Sequence, residues 1–211
     1  MRVLVFGDSI TQGFWDTEGG WVNRIRKHYD SLQVQDLQGR DDPVIFNLGI
    51  SADTSEMVLH RIENETKVRQ GISRELPAVV VQIGINDSLS ESGKIWVPIE
   101  NYTKNLEAII SKVKPISSKI IFIGFNPVDD AKTNPVAWGD FNYQSNTIKK
   151  YEDAMSVVAQ QNIIPFMPIF DKFKTEIDAG KDFLPDGLHP NNAGHEFIAS
   201  LILPELDALL T

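Results

Sequence analysis

Residues 2–9 read Arg2-Val3-Leu4-Val5-Phe6-Gly7-Asp8-Ser9. The apolar run Val3 to Phe6 has the length and β-branching of a buried strand. Gly7 ends it with a residue free of Cβ constraints. Ser9 therefore stands at the carboxyl end of a first strand, and in an open α/β sheet that edge is where ligands bind. Placement alone says little, because serines commonly follow strands as turn residues or helix caps. The rest of the chain supplies the context.

Similar runs recur. Val44-Ile45-Phe46-Asn47-Leu48-Gly49 reads as a second strand, and Ala78-Val79-Val80-Val81-Gln82-Ile83-Gly84, after Pro77, as a third. Lys119 to Phe125 reads as a fourth, and Ile163 to Met167 as a fifth that its internal Pro165 makes an edge strand or a short one. Helical spacing fills the intervals. Trp21, Ile25 and Tyr29 recur every four residues, after an opening at Glu18-Gly19-Gly20. Asp53 or Thr54 can cap a helix holding Met57, Val58 and Ile62. Leu106, Ile109, Ile110 and Val113 mark the next, and helices follow over about 143–160, around Phe173 and Ile177, and over about 192–209, where Pro204 suggests an interruption. Gly39-Arg40-Asp41-Asp42-Pro43 is expected to be a loop.

Strands alternating with helices imply right-handed crossovers and a parallel sheet covered on both faces. The expected fold is α/β: a three-layer α/β/α sandwich on a five-stranded parallel sheet in the flavodoxin-like order 2-1-3-4-5. The 211 residues suit a single domain, 1–211, with no internal repeat and no linker.

Composition narrows the function. Hydrophobic residues make up 42% and charged residues 23%, as in ordinary globular proteins. A net charge of −9 argues against a nucleic-acid partner, which needs a basic surface. The basic run Arg24-Ile25-Arg26-Lys27 reads as a solvated helix face. With no cysteine there are no disulfides, no thiol chemistry and no Cys-based zinc site. That composition fits a reducing compartment, and with neither a signal peptide nor a spanning segment in view the expected location is cytoplasmic. The oligomeric state stays open, a homo-oligomer included.

Three strands end in polar, glycine-bearing stretches: Gly7-Asp8-Ser9, Asn47-Leu48-Gly49 and Gly84-Ile85-Asn86-Asp87. In a parallel sheet these ends share one edge, so Ser9, Gly49 and Asn86 converge if their strands are adjacent. Near the C-terminus, Asp186-Gly187-Leu188-His189-Pro190 puts a carboxylate and an imidazole three residues apart on a turn. Acyl transfer needs these groups. Ser9 would be the nucleophile, His189 the base that takes its proton, and Asp186 the anchor that fixes the imidazole tautomer. The Ser9 and Gly49 amides and the Asn86 side chain would hold the oxyanion. Asp8 and Asp87 read as supporting groups that brace their loops through backbone N–H bonds.

These blocks, in this order, resemble the GDSL or SGNH hydrolase family. Gly7-Asp8-Ser9-Ile10-Thr11 is similar to the block carrying the family's nucleophile. Asn47-Leu48-Gly49 and Gly84-Ile85-Asn86-Asp87 are similar to the blocks carrying its glycine and asparagine oxyanion donors, and Asp186 to Pro190 to the block carrying its acid and base. Glu18-Gly19-Gly20-Trp21-Val22 resembles the start of the first helix in bacterial members. One position departs: Ala52 stands where a second glycine often follows, which is expected to alter the local loop and not the Gly49 donor. The resemblance implies a compact α/β/α sandwich and ester hydrolysis without a cofactor.

Plainer readings exist for each part. Asp186 and His189 could form a structural turn, Asn86 and Asp87 an Asx turn. His28 and His60 read as surface residues, and His195 as packing or surface rather than a ligand. A metal on Asp186, His189 and His195 lacks a further ligand cluster. No dinucleotide or phosphate-loop motif occurs, and no G-x-S-x-G elbow. Loops bearing Trp15, Trp96 and Trp138 are candidates for the pocket wall, or simply pack down. The leading reading is a serine esterase acting on small acyl, foremost acetyl, esters. A lysophospholipase or acyl-thioesterase comes second, and a non-catalytic carbohydrate- or lipid-binding module third.

Overall fold

The computed structural model describes residues 1–38 and 42–210; the expected loop over Gly39-Arg40-Asp41 lies outside them. Eight strands occur in chain order among the described residues. Five form the main sheet: β1 (Arg2–Gly7), β2 (Val44–Gly49), β3 (Ala78–Gln82), β6 (Lys119–Ile123) and β8 (Phe166–Met167). Every pairing is parallel, and the order is β2-β1-β3-β6-β8. This is the flavodoxin-like order read from the strand and helix alternation. The remaining strands, β4 (Ser90–Glu91), β5 (Lys94–Ile95) and β7 (Phe141–Asn142), make a small antiparallel sheet above the carboxyl edge. In sequence these positions fall in the loops bearing Trp96 and Trp138, because two-residue strands are too short for an alternating pattern.

Helices cover the sheet. Helix α2 (Gly20–Gln35) packs on α8 (Asn192–Leu210), and α4 (Ile99–Val113) packs on both α3 (Ser55–Gln70) and α6 (Ser145–Asn162). Short helices α1 (Ser9–Gln12), α5 (Asp130–Thr133) and α7 (Phe170–Asp178) complete the set. Trp21, Ile25 and Tyr29 are buried, as their four-residue spacing requires. In α3 Val58 and Ile62 face the core while Met57 is exposed. The fifth strand lies at the edge and is short, as Pro165 implies: Ile163 takes a left-handed φ of 57° and closes α6, so pairing starts only after Pro165. Pro204 does not interrupt α8.

Two helix starts are held by residues distant in the expected pattern. Helix α2 begins after Gly19, which offers no side-chain cap; Asp16 Oδ2 instead accepts the Gly20 N–H at 3.0 Å. Asp16 also binds Arg24, which therefore belongs to an ion pair and not to a solvated face. Thr54 occupies the N-cap of α3 but its side chain makes no cap bond. Asp87, at the end of the β3 loop, accepts the Ser55 N–H at 2.9 Å and so anchors α3 to the sheet edge. Asp53 pairs with Arg61, whose Nη2 also donates to Leu48 O at 2.8 Å and ties down the end of β2.

Ala52 holds φ 66°. Glycine adopts that left-handed conformation freely, whereas a Cβ there costs about 1–2 kcal/mol. The chain thus accepts backbone strain at the position where the family often carries glycine. Ala52→Gly is expected to raise the unfolding free energy by about 0.5–1 kcal/mol, the relieved strain less the entropy added to the unfolded chain. Urea denaturation of the two proteins measures it, and a loss of stability would contradict the assignment.

Candidate active site

The turn after β1 is defined by how closely other backbone approaches it. A Cβ on Gly7 would stand 2.0 Å from Thr11 Oγ1 and 2.5 Å from Gln82 O. A Cβ on Gly49 would stand 2.3 Å from Gln12 N and 2.8 Å from Asp8 O. Both positions are thus closed to any side chain. In that space Asp8 caps α1: its Oδ1 accepts the Ile10 N–H at 2.9 Å. Ser9 follows as the first helical residue, where its own N–H has no intrahelical acceptor.

Ser9 Oγ lies 2.9 Å from His189 Nε2, and His189 Nδ1 lies 2.7 Å from Asp186 Oδ2. With Nδ1–H directed at the carboxylate, Nε2 is the acceptor for the serine hydroxyl. Asp186 Oδ1 accepts the backbone N–H groups of Leu188 at 2.9 Å and His189 at 2.8 Å. Its Oδ2 also accepts the Trp15 indole N–H at 2.6 Å. Burial alone would raise the Asp186 carboxyl, but the bonds from His189, Leu188 and Trp15 outweigh it and hold the group far below the usual carboxylate range. Asp186 is therefore held as an anion against the His189 ring.

Gly49 and Asn86 flank the serine from the neighbouring strands. Asn86 Nδ2 donates to Asp53 O at 2.9 Å and its Oδ1 accepts the Tyr143 hydroxyl at 2.7 Å. Those two bonds fix the amide orientation and leave the second Nδ2 hydrogen for a ligand. Burial raises the Tyr143 phenol well above its ordinary value, so it stays a donor. The Gly49 N–H donates to Asn47 Oδ1 at 3.0 Å. A ligand oxygen must share or displace that carbonyl to reach it.

A second layer of polar groups lies behind these, of which the sequence reading singled out only His195, as a packing or surface residue. Gln82 Oε1 accepts from Thr11 Oγ1 and from the Trp21 indole, both at 3.0 Å, and Gln82 Nε2 donates to Gly124 O at 3.0 Å. It pins α1 and α2 to the centre of the sheet. His195 is fully buried: Nδ1 accepts the Trp21 N–H at 3.3 Å and Nε2 donates to Phe14 O at 3.0 Å. Burial pushes it down to about 4, so it is a neutral strut. Gln82 sits inside an apolar strand, Tyr143 follows a two-residue strand, and His195 lies on a helix. None carries a local motif; each is recognisable only once the strands are aligned.

Aromatic rings surround the imidazole. Ring centroids of Phe14, Trp138 and Trp15 lie 5.3, 6.1 and 6.4 Å from that of His189. Trp15 and Trp138 are about half exposed and form a rim. A groove of about 560 Å³ runs beside it, lined by Trp15, Asp16, Thr17, Pro185 and Asp186. Trp96 lies elsewhere, its indole on Glu91. His28 is half-buried and His60 exposed. Among the described residues no three His, Asp or Glu side chains are grouped to hold a metal ion.

A strand-to-helix serine at the carboxyl edge of a parallel sheet, in contact with a His-Asp pair, defines a serine-hydrolase class of α/β/α protein. The chain belongs to the GDSL-like Lipase/Acylhydrolase family, whose model matches residues 5–197, and is a GDSL-type esterase. It is 27% identical to the human isoamyl acetate-hydrolyzing esterase 1 homolog, over 98% of this chain and 81% of that protein. It is 26% identical to the isoamyl acetate-hydrolyzing esterase of Saccharomyces cerevisiae, over 98% and 86%. Among solved structures, the acetylxylan esterase Axe2 of Geobacillus stearothermophilus superposes with a TM-score of 0.73 at 20% identity, covering 97% of this chain and 93% of that one. No helix among the described residues is long and apolar enough to cross a membrane.

Asp8, beside Ser9, is buried, and that burial raises its carboxyl to about 7. The folded protein therefore binds a proton that the unfolded chain, with a carboxyl near 3.8, releases. Asp8 contributes stability that is complete below about 3.8 and is lost as pH rises through about 7. Asp8→Asn is expected to match the wild type in unfolding free energy near pH 4 and to exceed it above pH 7, by on the order of a few kcal/mol. Denaturant titrations across that range measure the difference; parallel curves would show Asp8 ionised in the fold.

Proposed function

We propose that the protein hydrolyses small acyl esters, foremost acetates, through an acyl-enzyme on Ser9. The observation that carries this reading is the continuous chain from Ser9 Oγ through His189 to Asp186, at 2.9 and 2.7 Å. His189 Nε2 takes the hydroxyl proton as Ser9 Oγ bonds to the ester carbonyl carbon. The carbonyl oxygen becomes an oxyanion facing the N–H of Ser9, the N–H of Gly49 and the second hydrogen of Asn86 Nδ2. Imidazolium then protonates the leaving alcohol as the C–O bond breaks. Water, deprotonated by the same nitrogen, releases the acid and restores Ser9. Asp8 and Asp87 serve this site from behind, holding α1 and α3.

The choice of acetate rests on the relatives, two of which are named for isoamyl acetate hydrolysis, and on the fold neighbour named as an acetylxylan esterase. The leaving alcohol must lie beside His189 Nε2, where Trp138 and Phe14 offer apolar ring surface. An alkyl alcohol or the face of a sugar suits that wall equally.

The test is a panel of p-nitrophenyl esters from acetate to long acyl chains, run on wild type and Ser9→Ala. A maximum at acetate and loss of turnover in Ser9→Ala are expected. A maximum at long chains, on acyl thioesters or on lysophospholipids would replace the acetate assignment. Asn86→Ala is expected to lower kcat by about 10²–10³ with little change in KM, because its bond strengthens with the oxyanion charge. A raised KM with kcat unchanged would make Asn86 a substrate-binding residue instead.

A further inference from the structure

Trp15 combines two features that core packing does not explain. Its side chain is 58% exposed, and its backbone holds φ 60°, which a bulky residue rarely adopts. Both neighbours are clamped. Phe14 O accepts from His195 Nε2 at 3.0 Å, and Asp16 binds the Glu18 and Gly20 N–H groups at 2.9 and 3.0 Å together with Arg24. The strained residue is thus fixed from either side. What the strain achieves is the aim of the indole, whose N–H reaches Asp186 Oδ2 at 2.6 Å, the same oxygen that receives His189 Nδ1–H.

We infer that Trp15 is a positioning residue of the triad, acting through Asp186. This inference rests on the serine-esterase reading. The carboxylate needs its plane fixed to hold the imidazole for both proton transfers. Its Oδ1 is held by two backbone N–H groups of its own turn, which leaves rotation of Oδ2 controlled only by His189, the group it must orient. The indole supplies an independent fixed donor for that oxygen. A neutral donor on an ionised acceptor makes a strong bond, and none of the turn's own backbone groups duplicates it.

The test is a double-mutant cycle on p-nitrophenyl acetate. Trp15→Phe keeps a ring but removes the donor; kcat is expected to fall about tenfold with KM changed less than twofold, the loss of one hydrogen bond to a charged group. In an Asp186→Ala background the same substitution is expected to cost nothing further, because the atom it acts through is gone. Trp15→Asn, which tolerates the left-handed backbone but cannot place an indole N–H on Asp186, is expected to be as slow as Trp15→Phe. A tenfold loss that persists in Asp186→Ala would overturn the inference. So would a rise in KM alone, which marks a substrate contact, or wild-type activity in Trp15→Asn. Full activity in Asp186→Ala by itself would overturn the triad reading beneath it, which separates the two failures.

Discussion

The turn carrying Ser9 is pressed between the ends of β2 and β3, and this close approach sets the geometry of the site. Gly7 pairs in register with Gly49 on one side and Gln82 on the other. Neither glycine leaves room for a side chain against Thr11, Gln12 or the Asp8 carbonyl. The short helix that Ser9 opens therefore lies directly on the backbone of its neighbours. The amide of β2, the loop after β3 and the serine meet within a few residues of the sheet edge as a consequence of parallel pairing, with β1 in the second place of the order.

Such an edge is rich in buried polar groups, each of which is costly unless paired. The partners come from far along the chain. Asp87 holds the first amide of α3, Gln82 holds α1 and α2, and Tyr143 and Asp53 fix the Asn86 amide. These bonds fix the Asn86 amide and the loops around Ser9, the preorganisation that the proposed oxyanion site requires. The same burial leaves Asp8 protonated to about pH 7 and His195 neutral down to about 4. Near neutral pH Asp186 is an anion against the imidazole, Asp87, raised only to about 6, is also largely ionised, and Asp8 stands near its midpoint.

The fold was legible from strand runs and their glycine ends, because β1, β3 and β6 are buried on both faces and carry uninterrupted apolar residues. The candidate triad was legible because its members sit in short local blocks. Residues acting across the sheet were not. Tyr143 touches Asn86 across 57 positions, and Trp15 touches Asp186 across 171, so no window of sequence contains either pair. Backbone strain at Ala52 and Trp15 is equally invisible in composition, since both residues ordinarily take negative φ. The packing at Gly49 is equally invisible: only the assembled sheet edge shows that a side chain there is excluded.

The central claim is that Ser9, Gly49 and Asn86 form one oxyanion site served by His189 and Asp186. The most direct measurement is a crystal structure of the protein after reaction with a small alkyl fluorophosphonate, which leaves a tetrahedral phosphonyl group on the attacking serine. The account predicts a bond from Ser9 Oγ to phosphorus, with the phosphonyl oxygen about 2.7–3.1 Å from Ser9 N, Gly49 N and Asn86 Nδ2. Gly49 would have turned from Asn47 Oδ1 toward it. An adduct on another serine, or a phosphonyl oxygen directed away from Asn86 with Gly49 still on Asn47, would contradict it.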